Sequence, residues 1–330
     1  MTDIQIFDRL SKTLGISARQ IQTVITLLDE GATVPFLARY RKEVTDGLDE
    51  EQIRLVRDAV ALKRSLEERR EAILKSITDQ GKLTPELEKA IHDADDLKTL
   101  EDLYLPYKPK RKTKASVAKE KGLEPLALLM WEQKTLKGNP EDVAKPFVNK
   151  DLGVKSVSDA LQGASDICAE WISENIQVRD KIREDLRKFA SISSKKTASV
   201  KERTSYENYY EFKVPVKYLK PYQTLALNRG ERENILSVSV DIDMEHELEN
   251  MDEFIMKNED SIFTDFLLDA TEDSYKRLLF PSLERELRSE LTEQADLHAI
   301  HIFSKNLGSL LLQAPLKSKV VIGLDPAYRT

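Results

Sequence analysis

With 330 residues, of which 40% are apolar, 33% charged and 7% aromatic, the chain is too long for one small core, and two or three domains are expected. No apolar run approaches the roughly 20 residues that span a bilayer, the stretch around Asp3 and Asp8 lacks the apolar segment of a secretory signal, and a single cysteine, Cys168, excludes an intrachain disulfide. A cytosolic protein is expected, and its net charge of -7 conceals segregation: seven Lys/Arg and one Glu lie between Pro106 and Lys121, nine Asp/Glu and one Lys between Asp241 and Asp260.

Residues 1–45 read as short helices. Ile4, Phe7, Leu10 and Leu14 follow helical spacing up to Gly15, and Ser17 is placed to cap a second helix carrying Ile21, Val24, Ile25 and Leu28. The pair has the outline of a helix-turn-helix, although most such pairs are packed hairpins. Asp49 and Gln52 fit a capping box, with Leu48 and Ile53 as its hydrophobic staple. Ile53, Val56, Val60, Leu66, Ile73 and Ile77 then predict one helix down to Gly81, on the order of 45 Å long. Thr84 and Pro85 open another.

From Leu105 to Ala115 two prolines block a regular helix and the chain reads as an extended basic loop. Helical patterning returns near Leu123 to Trp131 and from Ser158 through Phe189. Around Tyr206 the period shortens to two. Strands are predicted at Tyr210 to Phe212, at Leu225 to Leu227 and at Ile235 to Ile242, with Asn228, Arg229 and Gly230 as a turn between the last two. After Pro281, Ser282 can cap a long helix with the stripe Leu283, Leu287, Leu291, Ala295, His298 and Ile302. Val320 through Asp325 reads as a buried strand. These elements predict a mainly α fold: an elongated, multi-segment helical scaffold with long helices and one small antiparallel sheet. Four segments are expected, a helical one over 1–200, a β insertion over 201–245, a helical one over 246–318 and a first strand of a further domain over 319–330.

The chain carries no phosphate-binding loop, dinucleotide glycine fingerprint or His-Glu-x-x-His pair. His298 and His301 sit three apart without a third ligand, and Cys168 lies among Ala164, Ile167 and Trp171 as a buried thiol would. No cofactor or metal is expected, and no catalytic residue is assigned. Asp325 stands where a two-metal nuclease places one carboxylate, but one carboxylate makes no such site. The nucleic-acid candidates are Lys108, Lys110, Arg111, Lys112 and Lys114, with Tyr104 and Tyr107 nearby: cations neutralise phosphates and exposed aromatics stack on bases. The bland alternative is a solvated loop anchored by its tyrosines. Arg39, Arg41 and Lys42, with Tyr40 among them, form a second group, for which structural ion pairs to Glu43, Asp46 and Asp49 are the favoured reading. The acidic stretch reads as a solvated face or a protein contact.

Several of these strings carry a resemblance. TVPFLARYRKEVT (33–45), LYLPYKPKRKTK (103–114), GLEPL (122–126), YKRLLFPSLE (275–284) and GLDP (323–326) are similar, in this order, to stretches of the Tex family of bacterial transcription accessory proteins. The resemblance implies a helical N-terminal scaffold, followed in full-length relatives by a YqgF-type RNase H-like domain, helix-hairpin-helix elements and an RNA-binding OB-fold. It departs from the family pattern at Ala327, where relatives carry glycine. The expectation is a transcription-related scaffold that binds RNA or DNA, weakly without the OB-fold, and meets proteins of the transcription machinery. No membrane partner is expected. The alternatives are a pure protein-interaction scaffold and part of a metal-dependent nuclease.

Overall fold

The structure, a computed structural model, describes residues 3–109, 112–198, 203–314 and 317–324. It is mainly helical, with long helices and one small antiparallel sheet. The chain divides into two compact units, Met1–Arg111 and Lys112–Thr330.

The first unit holds α1 (Asp3–Leu14), α2 (Ala18–Asp29), α3 (Val34–Tyr40), α4 (Glu50–Asp79), α5 (Pro85–Asp93) and α6 (Leu97–Tyr104). Ser17 caps α2 in a capping box with Gln20, and Asp49 caps α4 in another, accepting from the Gln52 amide at 2.8 Å. The 30 residues of α4 serve two cores. Ile53, Val56 and Val60 pack with Phe7, Leu10, Ile21, Val24 and Leu37. Leu66, Ile73 and Ile77 pack with Ile91, Leu100 and Tyr104. The expected helix-turn-helix outline is therefore a hairpin of α1 and α2 whose apolar stripes are spent on the N-terminal half of α4.

The second unit holds α7 (Lys114–Glu120), α8 (Glu124–Glu132), α9 (Pro140–Ala144), α10 (Val157–Glu174) and α11 (Ile176–Phe189). Then follow β1 (Ser191–Lys196), β2 (Glu211–Pro215), α12 (Pro221–Arg232), β3 (Leu236–Asp241), α13 (Met244–Ile255), α14 (Thr264–Asp273) and α15 (Phe280–Leu311). Helix α10 is central, because Ala160, Ala164 and Ala169 are small enough to let α7, α8 and α14 approach. The helix expected from Ser158 to Phe189 is in fact α10 and α11, divided at Asn175, whose side chain accepts from the Gln177 and Val178 amides.

The sheet corrects the expected strands. Its order is β2-β1-β3, antiparallel throughout, with Ile192 opposite both Val214 and Val240. The central strand β1, Ser-Ile-Ser-Ser-Lys-Lys, was not expected, since one apolar residue in six gives no alternation. Leu225 and Leu227, expected in a strand, lie in α12, which Pro221 opens in its first turn. Two leucines two apart are too short a sample to separate periods of two and 3.6. Nor is Gly230 a turn residue: it lies within α12, where a Cβ would stand 2.6 Å from Leu236 Cδ1 and 3.2 Å from Tyr206 Cδ1. Gly230→Ala is thus expected to cost about 1–2 kcal/mol through overpacking, despite the better helix propensity of alanine. A thermal melt followed by circular dichroism checks this, and a higher melting temperature would mean Leu236 can swing aside.

Residues Ser274–Leu279 form a π-helical turn that joins α14 to α15 without a break. Pro281 explains it: a proline deprives the carbonyl four residues back of its donor, and a widened turn re-routes the bonding. The long helix therefore begins at Phe280, ahead of the Ser282 cap expected from sequence. Its stripe buries Leu283, Leu287 and Ala295, but His298 and Ile302 are exposed. The expected strand at 320–325 is not formed over the described residues: 319–324 have no regular structure, and Val320, Ile322 and Leu324 are exposed. Asp325 and Ala327 lie outside the described residues.

Candidate nucleic-acid interface

In the first unit, helical spacing divides α3 into two faces. Val34, Leu37 and Ala38 are buried against α4, which leaves Phe36, Arg39 and Tyr40 outward. The rings of Phe36 and Tyr40, one turn apart, have centroids separated by 5.6 Å and planes inclined by 42°. The Arg41 guanidinium lies 6.0 Å over the Phe36 ring. Phe36 is 43% exposed and Tyr40 68%.

The following turn is held by its backbone. The buried Thr45 hydroxyl donates to the Arg41 and Lys42 carbonyls (3.2 and 3.3 Å), and the Gly47 amide to the Lys42 carbonyl (2.8 Å). Gln20 Nε2 donates to the Thr45 and Asp46 carbonyls. Asp46 and Gly47 have left-handed backbone, with φ of 56° and 83°. The turn is thus anchored by main chain, Thr45 and Gln20, and Arg39, Arg41 and Lys42 are exposed. The favoured expectation of ion pairs to Glu43, Asp46 and Asp49 is not met: among the described residues none of the three cations makes one. Asp46 has left-handed backbone, and Asp49 is committed to the α4 cap.

The residues of the larger basic cluster belong to both units. Lys108 is exposed at the end of the first unit, just past a 3₁₀ turn at Leu105–Tyr107. Lys110 and Arg111 lie outside the described residues. In the second unit Lys112 is exposed, 3.5 Å from Glu120, and Lys114 opens α7. The tyrosines take the anchoring role. Tyr104 is buried, with its hydroxyl 2.9 Å from Ser76 Oγ and the Arg69 guanidinium 5.5 Å over its ring. Tyr107 is half-buried against the same core. Neither ring is free to stack on a base.

What sequence distance concealed is that Lys121 and Lys155 join Lys112 and Lys114 around one cleft of about 650 Å³, with Asp159 and Asp166 also in its wall. Burial raises the Asp166 pKa, and the Lys114 charge opposes the rise. No local signal placed Lys155, at the entry of α10, beside a loop some 40 residues earlier.

The groups considered for chemistry are not assembled. Cys168 is buried, its Sγ 3.6 Å from the Ala127 carbonyl, and burial pushes its pKa up to about 12. His298 and His301 are exposed on α15. Among the described residues no three His, Cys, Asp or Glu side chains are gathered as a metal ion requires, and no helix is long and apolar enough to cross a membrane. The acidic stretch holds one surprise: Glu247 on α13 is wholly buried, and neither carboxyl oxygen has a partner.

Residues 4–78 match the Tex-like protein N-terminal domain, and residues 135–303 match the Tex central region-like family. The chain is 42% identical over 336 aligned positions to protein YdcI of Bacillus subtilis, an alignment covering 100% of this chain and 46% of that protein. It is 38% identical over 332 positions to the transcriptional accessory protein Tex of Neisseria gonorrhoeae (97% and 42%). It is 28% identical over 338 positions to the human S1 RNA-binding domain-containing protein 1 (97% and 33%). The chain therefore spans less than half the length of these relatives.

Proposed function

The chain belongs to the Tex family, and from that premise we propose that it is a helical frame that helps a transcription accessory protein grip nucleic acid, RNA foremost, without bond-making chemistry of its own. The observation that carries this reading is the α3 patch: Arg39, Arg41 and Lys42, free of acidic partners among the described residues, beside the exposed rings of Phe36 and Tyr40. Mobile phosphates are met by cations that need not first abandon a carboxylate, and the turn that carries them is fixed by its backbone, so little ordering entropy is lost on binding. The names of two relatives, a transcriptional accessory protein and an S1 RNA-binding domain-containing protein, support the partner class. In this reading Lys108, Lys110, Arg111, Lys112 and Lys114 add a second set of phosphate contacts, and the work is cytoplasmic, alongside proteins of the transcription machinery.

The test is binding of a fluorescein-labelled 20-nucleotide RNA, followed by anisotropy between 50 and 200 mM salt. Each lost phosphate contact on a single strand flattens the plot of log affinity against log salt by roughly 0.7. Replacing Arg39, Arg41 and Lys42 by alanine is expected to flatten it by about 2 and to weaken binding similarly for RNAs of unrelated sequence. The five-residue loop variant is expected to act in the same direction. Unchanged affinity and slope for both variants would sink the reading.

A further inference from the structure

A different surface, in the second unit, repeats the chemistry of the α3 patch with residues that no sequence motif marked. Three exposed aromatic side chains lie on adjoining segments: Phe189 at the last turn of α11, Tyr218 in the turn before α12, and Tyr222 in the first turn of α12. They are 62%, 61% and 65% exposed. Their segments are fastened together, because the Val216 amide donates to the Ala190 carbonyl at 2.9 Å, one residue beyond Phe189 and two before Tyr218. The turn itself is rigid. Val216 is buried, Leu219 packs on the core with its amide bonded to the Val216 carbonyl at 3.1 Å, and Gln223 Oε1 accepts from the Lys220 amide at 2.9 Å. Pro221 then fixes the entry into α12.

Lysines are interleaved with these rings. Lys217 Nζ lies 5.3 Å over the Tyr218 ring, and Lys220 stands between the two tyrosines in sequence; both are exposed, and neither has an acidic partner among the described residues. The flanking cations are compensated differently: Lys188 is paired with Glu184 (3.0 Å) and Lys213 with Asp241 (3.3 Å). Lys217 and Lys220 thus carry uncompensated charge beside these aromatics in sequence.

Exposed tyrosines on a stiff turn are poor material for a fold, since their apolar faces are left in water. They suit a ligand that is flat, unpaired and anionic. We propose that Phe189, Tyr218 and Tyr222, with Lys217 and Lys220, form a platform for single-stranded nucleic acid, on which two or three bases stack while the lysines meet the intervening phosphates. Stacking on an aromatic face is indifferent to base identity, so the platform binds without sequence preference, and a duplex, whose bases are already stacked, is refused. The inference rests on the proposed function for the class of partner and on none of its residues.

The experiment uses the 330-residue chain and a 12-nucleotide oligouridylate carrying one 5-iodouridine, photo-crosslinked and mapped by mass spectrometry, with anisotropy titrations in parallel. Crosslinks are expected on the peptides carrying Tyr218 and Tyr222. The double variant Tyr218→Ala/Tyr222→Ala is expected to weaken single-strand binding at least tenfold, and Tyr222→Phe to leave it nearly unchanged. Because the rings are exposed, these variants keep the fold, which circular dichroism verifies. If crosslinks fall elsewhere and the double variant binds as the native chain does, the platform is overturned while the α3 patch stands. If only the double variant weakens binding, the platform holds and the α3 reading falls. A chain that binds no oligonucleotide at 50 mM salt overturns both, and leaves an acidic protein as the partner that such a surface would suit.

Discussion

At pH 8 the variant Glu247→Gln is expected to exceed the native chain in stability by about 3 kcal/mol, while the two are nearly equal at pH 4.5. The reason is an acid in the wrong solvent. Glu247 is completely buried on α13 with both oxygens unpartnered, and burial first, then the Asp185 carboxylate, push its pKa up to about 7; Lys181, held by Asp185 at 2.9 Å, only partly opposes this. In the unfolded chain the same group titrates near the ordinary 4.5. Between those values the folded state holds a proton that the unfolded state has released. The contribution is therefore fully present below 4.5 and is lost as pH rises through 7. Asp252, whose buried Oδ1 is also unpartnered, is shifted upward by burial and acts with the same sign. Glutamine keeps the shape and carries no titrating proton, so the slope disappears. Both tryptophans, Trp131 and Trp171, belong to the second unit, and their fluorescence during urea unfolding at pH 5, 6, 7 and 8 reads the effect where it arises. Parallel stability curves for native and variant chains would show that water reaches Glu247.

Glu247 also marks a limit of reading the sequence. Nine acids among the 20 residues from Asp241 to Asp260 imply a solvated face, and for most of them that is what the fold provides. Nothing local distinguishes the one that turns inward, because α13 is amphipathic along Glu247, Met251 and Ile255, and the buried stripe simply passes through a carboxylate. Features set by neighbours in sequence were legible. The cap at Ser17, the capping box at Asp49 and the length of α4 follow from side chains three or four residues apart. Features set by distant partners were not. Strand β1 owes its place to distant partners, the β2 and β3 backbones and the Ser239 hydroxyl and Tyr209 carbonyl that bond Ser193 and Ser194, and the Lys112 to Lys155 cleft exists only once α7 lies on α10. The α3 patch falls between: its cations were plain in the sequence, but that nearby acids such as Asp49, committed to the α4 cap, would not pair with them is something no charge count contains.

The same distinction governs the second large effect, at Arg70. This side chain, buried in the middle of α4, is expected to cost about 3 kcal/mol on replacement by methionine, which retains most of the apolar stem and removes only the guanidinium. Its Nε donates to the Ile91 carbonyl at 2.9 Å, a second nitrogen to the Ala94 carbonyl at 2.5 Å, and the third pairs with Glu67. Ile91 and Ala94 lie in the last turn of α5 and just beyond it, where carbonyls have run out of helical donors. One cation thus closes the end of α5 and ties it to the long helix. Burial lowers the Arg70 pKa, but not enough to discharge a guanidinium at any ordinary pH, so the interaction is expected to be flat from pH 5 to 9. Lysine, with one ammonium in place of a fork, reaches at most one of the two carbonyls and recovers less than half of the loss. Urea unfolding monitored by circular dichroism, with amide exchange on the peptide spanning residues 85–94, separates the possibilities. If Arg70→Met leaves that exchange slow, packing of Ile91 alone secures α5, and the buried charge is incidental to the frame that carries the α3 patch.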